Sequence, residues 1–439
     1  MNSIAHSRAG LVLGLLFSLS MSSKGSAQDT LIPVPPPETK AIDQIPKNLA
    51  REILGASVKV YIGTENGGWK ASGTVADPLL SDDVSGSAPF PAGRSIFIVD
   101  IAGRYPLQKV TFQSNGAIGE AKVFTSAVRL DPESSRWRAA ANGTKIEVGD
   151  ISQIPLSAEA RYVKIELNLS QAGEIGTFGI YSTAAVTRFT FDPTPKDENT
   201  VVHTATGAAK APPLQQCVNL ASLSAQGRVA YVSSTENLSD SVNQVDENVN
   251  TLYTFKPEDP KPIGIVKLHK SQPIRRISLI TMPQEAEVDF YVMPGIPAHL
   301  PPPLVRVTPD RFHFLGRFPF LAAAFSQVET TLGDFLTDQS PTATVRGKNG
   351  RFVTDINHIR GQYVMFVWRS EHPLVVRDFS VMSDYAYHDI GDAPGDHVGN
   401  LDLAVNATGL PRAPINPPLI PPTTVIPPVE PPDVPPVSP

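Results

Sequence analysis

The stretch "NLAREILGASVKVYIGTEN", from Asn48, returns 171 residues later as "NLASLSAQGRVAYVSSTEN", from Asn219, with both ends matching and no gap. Further along, "FIVDIAGRYPLQKVTFQ" from Phe97 lies over "GIVKLHKSQPIRRISLI" from Gly264 at an offset of 167, and "GEAKVFTS" from Gly119 lies over "AEVDFYVM" from Ala286 at the same offset. Tyr162 and Phe178 reappear as Tyr363 and Phe379 at an offset of 201, so the second copy carries 34 extra residues between Met293 and Gly361. Two long repeats are the wrong number and size for a stacked solenoid. A chain that contains itself twice must therefore build one domain twice, and 439 residues leave each copy enough length for its own core.

Within each copy the hydrophobic period is two. Val58, Val60 and Ile62 alternate with polar neighbours, and so do Val163, Ile165 and Leu167; this is the pattern of strands with one buried face. Turn sequences such as "NGG" at Asn66, "SNG" at Ser114 and "GKNG" at Gly347 separate the runs, and the spacing points to an all-β antiparallel sandwich. Only "PKNLAREIL" from Pro46 and "PFLAAAFSQVETTL" from Pro319 read as short helices. The expected organisation is a signal peptide over 1–27, an N-terminal Pro-containing segment over 28–47, and a first sandwich over 48–192. A linker over 193–216 leads to a second sandwich over 217–385 with its insertion near 294–345, and a polar then Pro-rich tail fills 386–439. In that tail 13 of the last 29 residues are proline, which excludes helix and central strand and leaves an extended spacer or docking strip.

The amino-terminal residues combine a weakly basic start, the apolar run "GLVLGLLFSLSM" and small residues at Gly25 to Ala27, the pattern of a cleaved export signal. The expected location is secreted, periplasmic or cell-surface, with no transmembrane segment after cleavage. A net charge of -6 and a pI near 5.9 give no basic footprint for nucleic acid or anionic membranes. Cys217 is the only cysteine, so there is no internal disulfide, and its expected role is that of a small buried hydrophobe.

The opening "NLA", the strand "FIVDI", Trp137 in "SSRW", "ARYVKIEL" and the closing "IGTFGIYS" together resemble the discoidin, or coagulation-factor-five/eight type C, family. The resemblance covers most of 48–191 and, more loosely, 219–382, and it implies two tandem jelly-roll β-sandwiches of the galactose-binding-like class. Members bind glycans, lipid headgroups or proteins through loops at one end. It also implies a structural calcium in the second copy: in "DENVNT" Asp246, Asn248 and Thr251 fall on the family's calcium turn and Asp378 falls where a late Glu completes the ligands. Hard oxygen donors suit calcium, although Glu247 stands where the turn has glycine. The first copy departs further, with "ADPLLSDD" lacking the threonine and Thr177 in the late position.

No nucleophile elbow, zinc-protease helix, phosphate loop or dinucleotide fingerprint is present, and the expectation is a protein that is not an enzyme. Adjacent acids such as Asp82 and Asp83 sit in turns, where neighbouring side chains diverge. The polar run Asp384 to Asn400 mixes carboxylates and imidazoles but is scattered by Gly and Pro. Candidate ligand-binding residues are Trp69, in "NGGWKAS", whose ring offers a face to a sugar, and Arg311, His313 and Arg317. These three lie between Phe312, Phe314, Phe318, Phe320 and Phe325 of the insertion. Trp137 and Trp368 are expected in the core. The leading expectation is recognition of a glycan or cell-surface polymer through loops at the sandwich ends. The alternative is an assembly protein of the cell envelope, with the Phe-rich insertion and the Pro-rich tail contacting a protein partner.

Overall fold

The computed structural model describes residues 30–37, 45–149, 151–182, 190–196, 211–295, 330–331 and 340–392. Among them helix is confined to 3-10 turns, and none is long and apolar enough to cross a membrane. Everything else that is regular is strand. After β1 (Thr30–Pro33) come the strands of copy one: β2 (Ser57–Gly63), β3 (Trp69–Ala71), β4 (Ser87–Phe90), β5 (Gly93–Asn115), β6 (Ile118–Ser126), β7 (Arg138–Ile146), β8 (Ile151–Gln171) and β9 (Gly173–Ser182).

Two of these strands are long enough to serve both layers. The first part of β5, Gly93 to Asp100, lies between β2 and the end of β8, in a sheet of order β3-β2-β5-β8-β6-β7. Its second part, Tyr105 to Asn115, lies between β9 and the beginning of β8, with β4 beyond β9, and forms the smaller sheet. The fold-over is at Ala102, whose φ of 64° is left-handed and whose N–H donates to Asp100 Oδ1 at 3.0 Å. The alternating apolar residues of both layers, among them Phe97, Val99, Phe112, Val163, Ile165 and Phe178, close one core.

Copy two repeats this design in its main strands, with β1 beside β11 where copy one has β3 beside β2: β10 (Cys217–Asn219), β11 (Arg228–Val232), β12 (Tyr253–Thr254), β13 (Ile263–Thr281), β14 (Ala286–Met293), β15 (Thr330–Thr331), β16 (Ala343–Gly347), β17 (Arg351–Arg369) and β18 (Val375–Ala386). Here β13 and β17 are the two-layer strands, and the larger sheet runs β15-β1-β11-β13-β17-β14-β16. Its core gathers Val266, Val364, Phe366, Trp368 and Phe379. The equivalence reaches single side chains. Asn48 Oδ1 accepts from Ala50 N at 3.0 Å and Ile180 N at 2.9 Å, and Asn219 Oδ1 accepts from Ala221 N at 3.1 Å and Val381 N at 2.9 Å. The fold class read from the sequence, all-β with two tandem antiparallel sandwiches, is the one observed.

Two local expectations change and a third holds. The helix expected from Pro46 is one 3-10 turn, Glu52–Leu54, because Asn48 bridges to Tyr181 at the sheet edge and Gly55, at φ 84°, ends the turn. Trp368 is in the core, against Phe352 with ring centroids 5.0 Å apart. Trp137 is buried but outside the sandwich, on the outer face of the larger sheet, where Lys164 Nζ lies 5.3 Å from its ring centroid. The helix expected from Pro319 and the Pro-rich tail lie outside the described residues.

Candidate functional site

The outward faces of the two smaller sheets meet, and the polar residues of that junction are buried. On copy one these are Thr111 and Gln113 of β5 with Thr177 and Tyr181 of β9, and on copy two Ser278 of β13 with Asp378 and Ser380 of β18. Direct bonds cross the junction. Ser85 and Ser278 hydroxyls are 3.0 Å apart, Ser278 donates to Asp83 Oδ2 at 3.2 Å, the Arg351 guanidinium donates to Ser85 O, and Tyr181 donates to Glu247 O at 3.3 Å. Among the described residues the apolar cluster of this junction is small: Val84, Val249 and Ile280, with Ile151 against them.

At its centre each copy holds the beginning of the other. Asp82 Oδ2, in the turn after β3, accepts from Asn219 N at 2.9 Å. Glu247, in the corresponding turn of copy two, forms a 2.9 Å ion pair with Lys47, next to Asn48. Both members of that pair are nearly inaccessible, 6% and 3% exposed. Arg51 is also buried, donating to Phe178 O at 3.1 Å. Burial raises Asp82 to about 7, with the Glu247 charge adding to the effect, whereas Lys47 holds Glu247 below its ordinary value against the effect of burial.

The residues expected to hold calcium lie in this junction. Thr251 donates to Asp246 at 3.0 and 2.8 Å, Asn248 N donates to Asp246 Oδ1 at 3.0 Å, and Asn248 Oδ1 accepts from Asn250 N at 3.3 Å. Glu247 takes the conformation that the family turn gives to glycine, with φ 58°, and its side chain is anchored by Lys47. Asp378 Oδ2 accepts from Ser380 at 2.6 Å, while its Oδ1 is buried with no hydrogen-bond partner among the described residues. Burial pushes Asp246 up to about 8, and burial followed by the Asp246 charge pushes Asp378 well up. Two close carboxylates, hydroxyl and amide oxygens and one unpartnered buried oxygen fit calcium in kind. No cluster of three or more His, Cys, Asp or Glu side chains is placed to hold a metal among the described residues.

The solvent side offers two polar grooves. One, of about 730 Å³, opens where β5 folds over in copy one and is lined by Arg104, Arg136, Arg138, Ser126, Ser157 and Glu159. Arg136 and Arg138 are exposed, and Arg104 Nε is 3.4 Å from Glu159. The other, of about 790 Å³, lies at the opposite end of copy two between Glu285, Glu287, Arg346, Lys348, Arg369 and His372. There Glu287 pairs with Arg346 and with Arg369, so acids answer most of the bases.

Trp69 is half-buried on the edge strand β3. The Arg94 guanidinium covers its ring at 4.7 Å, and its N–H donates to Glu133 Oε1 at 3.3 Å. It lines neither groove. Arg311, His313 and Arg317 lie outside the described residues. Of the polar run from Asp384, Asp384 is buried with a carboxylate oxygen 2.5 Å from His358 Nδ1, and the residues from 393 are not described. The arginine groove was missed because its members come from β5, the β6–β7 connection and β7, a convergence that spacing along the chain does not reveal. The repeated Arg-x-Arg of Arg136 and Arg138 was the one available signal.

No family model matches the chain, and the search of curated proteins returned no match. Among solved structures it is similar to a fucolectin from striped bass (Morone saxatilis) serum, at 12% identity over 78% of this chain and 99% of the other, with a TM-score of 0.25. It is also similar to chitosan-binding module 1 of a chitosanase/glucanase from Paenibacillus sp. IK-5, at 15% identity over 38% and 98%, TM-score 0.25. A third similarity is to allantoicase from Saccharomyces cerevisiae, at 10% identity over 78% and 96%, TM-score 0.24. Similarities of this strength say nothing about what the chain does. The strand order and the joined smaller sheets define it as a fused pair of antiparallel β-sandwiches.

Proposed function

We propose that this chain is an exported, non-catalytic binding protein that holds an acidic carbohydrate or cell-surface polymer at the fold-over end of its first sandwich. The observation that carries this reading is the arginine groove. A chain of net charge -6 places three arginines around one open polar groove, two of them exposed and one, Arg104, paired with Glu159. Guanidinium groups bind carboxylate and sulfate through paired, charge-assisted hydrogen bonds. The exposed Ser157 hydroxyl, which also lines the groove, suits the neutral hydroxyls of a sugar ring. The groove's volume is within the range of small-ligand sites.

With Arg136→Ala and Arg138→Ala combined, affinity for uronic-acid or sulfated oligosaccharides should fall at least about tenfold in titration calorimetry, since each charged hydrogen bond contributes roughly 1.5–3 kcal/mol. Binding by the unmodified protein should weaken with salt. Unchanged affinity in the double variant would remove the groove from consideration.

The proposed cofactor is a structural calcium held by Asp246, Asn248, Thr251 and Asp378, which would supply positive charge to two buried carboxylates. Calcium at about a hundred times its Kd should stabilise the fold by roughly 2.7 kcal/mol, seen as a rise in Tm over an EDTA control. The rise should be absent in Asp378→Asn. A Tm that ignores calcium rules the ion out.

A further inference from the structure

The outer faces of the two larger sheets differ where the copies otherwise match. On copy one, Lys164 and Glu166 of β8 face Ile98 and Ile96 of β5, while Phe124 and Lys122 of β6 stand beside them on the other flank. On copy two the same register positions hold Met365 and Val367 facing Ile265 and Ile263, with Tyr291 and Asp289 on the other flank. Where copy one has a Lys164–Glu166 ion pair at 2.8 Å, copy two has two apolar side chains. Leu31, Tyr231, Met293 and Tyr363 extend the patch into a second apolar cluster. It lies on the side of the sheet away from the sandwich core, and its members are buried, Met365 and Ile265 completely.

Copy one shows which part of the chain covers this position. Its β6–β7 connection, residues 127–137, folds back over the outer face: Pro132 O accepts from Lys164 Nζ at 3.2 Å, Glu133 reaches Trp69 N, and the Trp137 ring lies over Lys164. The corresponding connection of copy two, between β14 and β16, is residues 294–342. This is the stretch that carries the insertion and six phenylalanines, five of them between Phe312 and Phe325. It starts next to Met293, itself part of the patch. Within it, β15 pairs with β1 at the far edge of the same sheet, so its described points stand at opposite edges of that sheet. Six strand spacings of about 4.8 Å make roughly 29 Å, and residues 332–342, even extended at about 3.4 Å each, have little slack for a detour. The inner face is filled by the core, which leaves the outer one.

We propose that the Phe-rich connection docks on this apolar face of its own chain, as a third layer on the second sandwich, and is not a surface for a separate envelope protein. This stands independently of the carbohydrate reading. An uncovered patch of this kind would be unusual on a soluble monomer, and Phe312, Phe314, Phe318, Phe320 and Phe325 are large apolar side chains that the insertion adds.

The test places a thiol on the face by Met365→Cys in a Cys217→Ser background and follows its modification by a maleimide. The full chain should react slowly and at a rate independent of protein concentration. Adding Phe314→Asp, Phe318→Asp and Phe320→Asp should speed the reaction at least about tenfold, with the far-ultraviolet spectrum of the sandwiches kept. A second variant replaces 296–340 by the shorter copy-one connection; it should bind a hydrophobic dye and self-associate, and adding Met365→Lys with Val367→Glu should reverse both. Fast labelling of the full chain overturns the proposal, as does labelling that the Phe substitutions leave unchanged. Protection that disappears on dilution also overturns it, since a second copy would then be the cover.

Discussion

Replacing Lys47 by Met should destabilise the protein by about 3–5 kcal/mol, because it leaves the Glu247 carboxylate buried without its counter-charge. The ammonium and carboxylate are 2.9 Å apart and both nearly excluded from water, and the Ser224 hydroxyl donates to Glu247 Oε1 at 3.4 Å. The double replacement Lys47→Met with Glu247→Gln should recover most of the loss, since the cost lies in the orphaned charge and not in the missing pair. Urea unfolding of both variants measures this. Because the pair joins the start of copy one to a turn of copy two, the single variant should also unfold with a lower m-value as the two sandwiches lose coupling. If Lys47→Met costs less than 1 kcal/mol, the junction is wetter than its geometry implies.

In EDTA, stability should fall as the pH rises from about 4 to about 8, and Asp246→Asn should flatten that fall. Burial sets Asp246 near 8 and Asp82 near 7 in the folded protein, and it raises Asp378 as well. An unfolded carboxyl titrates near 4. Between these values the folded state keeps protons that the unfolded chain has released, so these groups contribute fully below about pH 4 and lose that contribution as the pH climbs through the folded values. For Asp246 alone the loss is on the order of a few kcal/mol. Asp246→Asn should be the more stable protein at pH 8 and close to the parent at pH 4.5, read as urea midpoints. A pH profile that rises over this range, or one that the substitution leaves alone, refutes the assignment.

Much of the architecture was legible because the repeated residues do repeated work. Asn48 and Asn219 align because each caps the same pair of backbone amides, and Val163, Ile165 and Leu167 alternate because they face one core. The sharing of β5 and β8 between layers was not readable: a fold-over at Ala102 costs one left-handed residue and leaves the period of two intact. Nor was the junction. Thr111, Gln113, Ser278 and Ser380 alternate with apolar residues just as solvent-facing positions do, and only their lack of charge hints that they meet another polar sheet. For the same reason Asp82 and Asp83 read as ordinary turn acids, yet both are buried. The candidate calcium residues were proposed from a family likeness, and the arginine groove depends on tertiary convergence.

The strand β1 pairs with β11, and Leu31 is sealed among residues of the later sandwich. A ribosome therefore delivers this strand long before Tyr231 and Val232, its partners, exist. Severing the polypeptide between the sandwiches would not yield two self-sufficient halves: the later half expressed alone would lack its bordering strand, and a peptide spanning Thr30 to Val34 should restore it in trans.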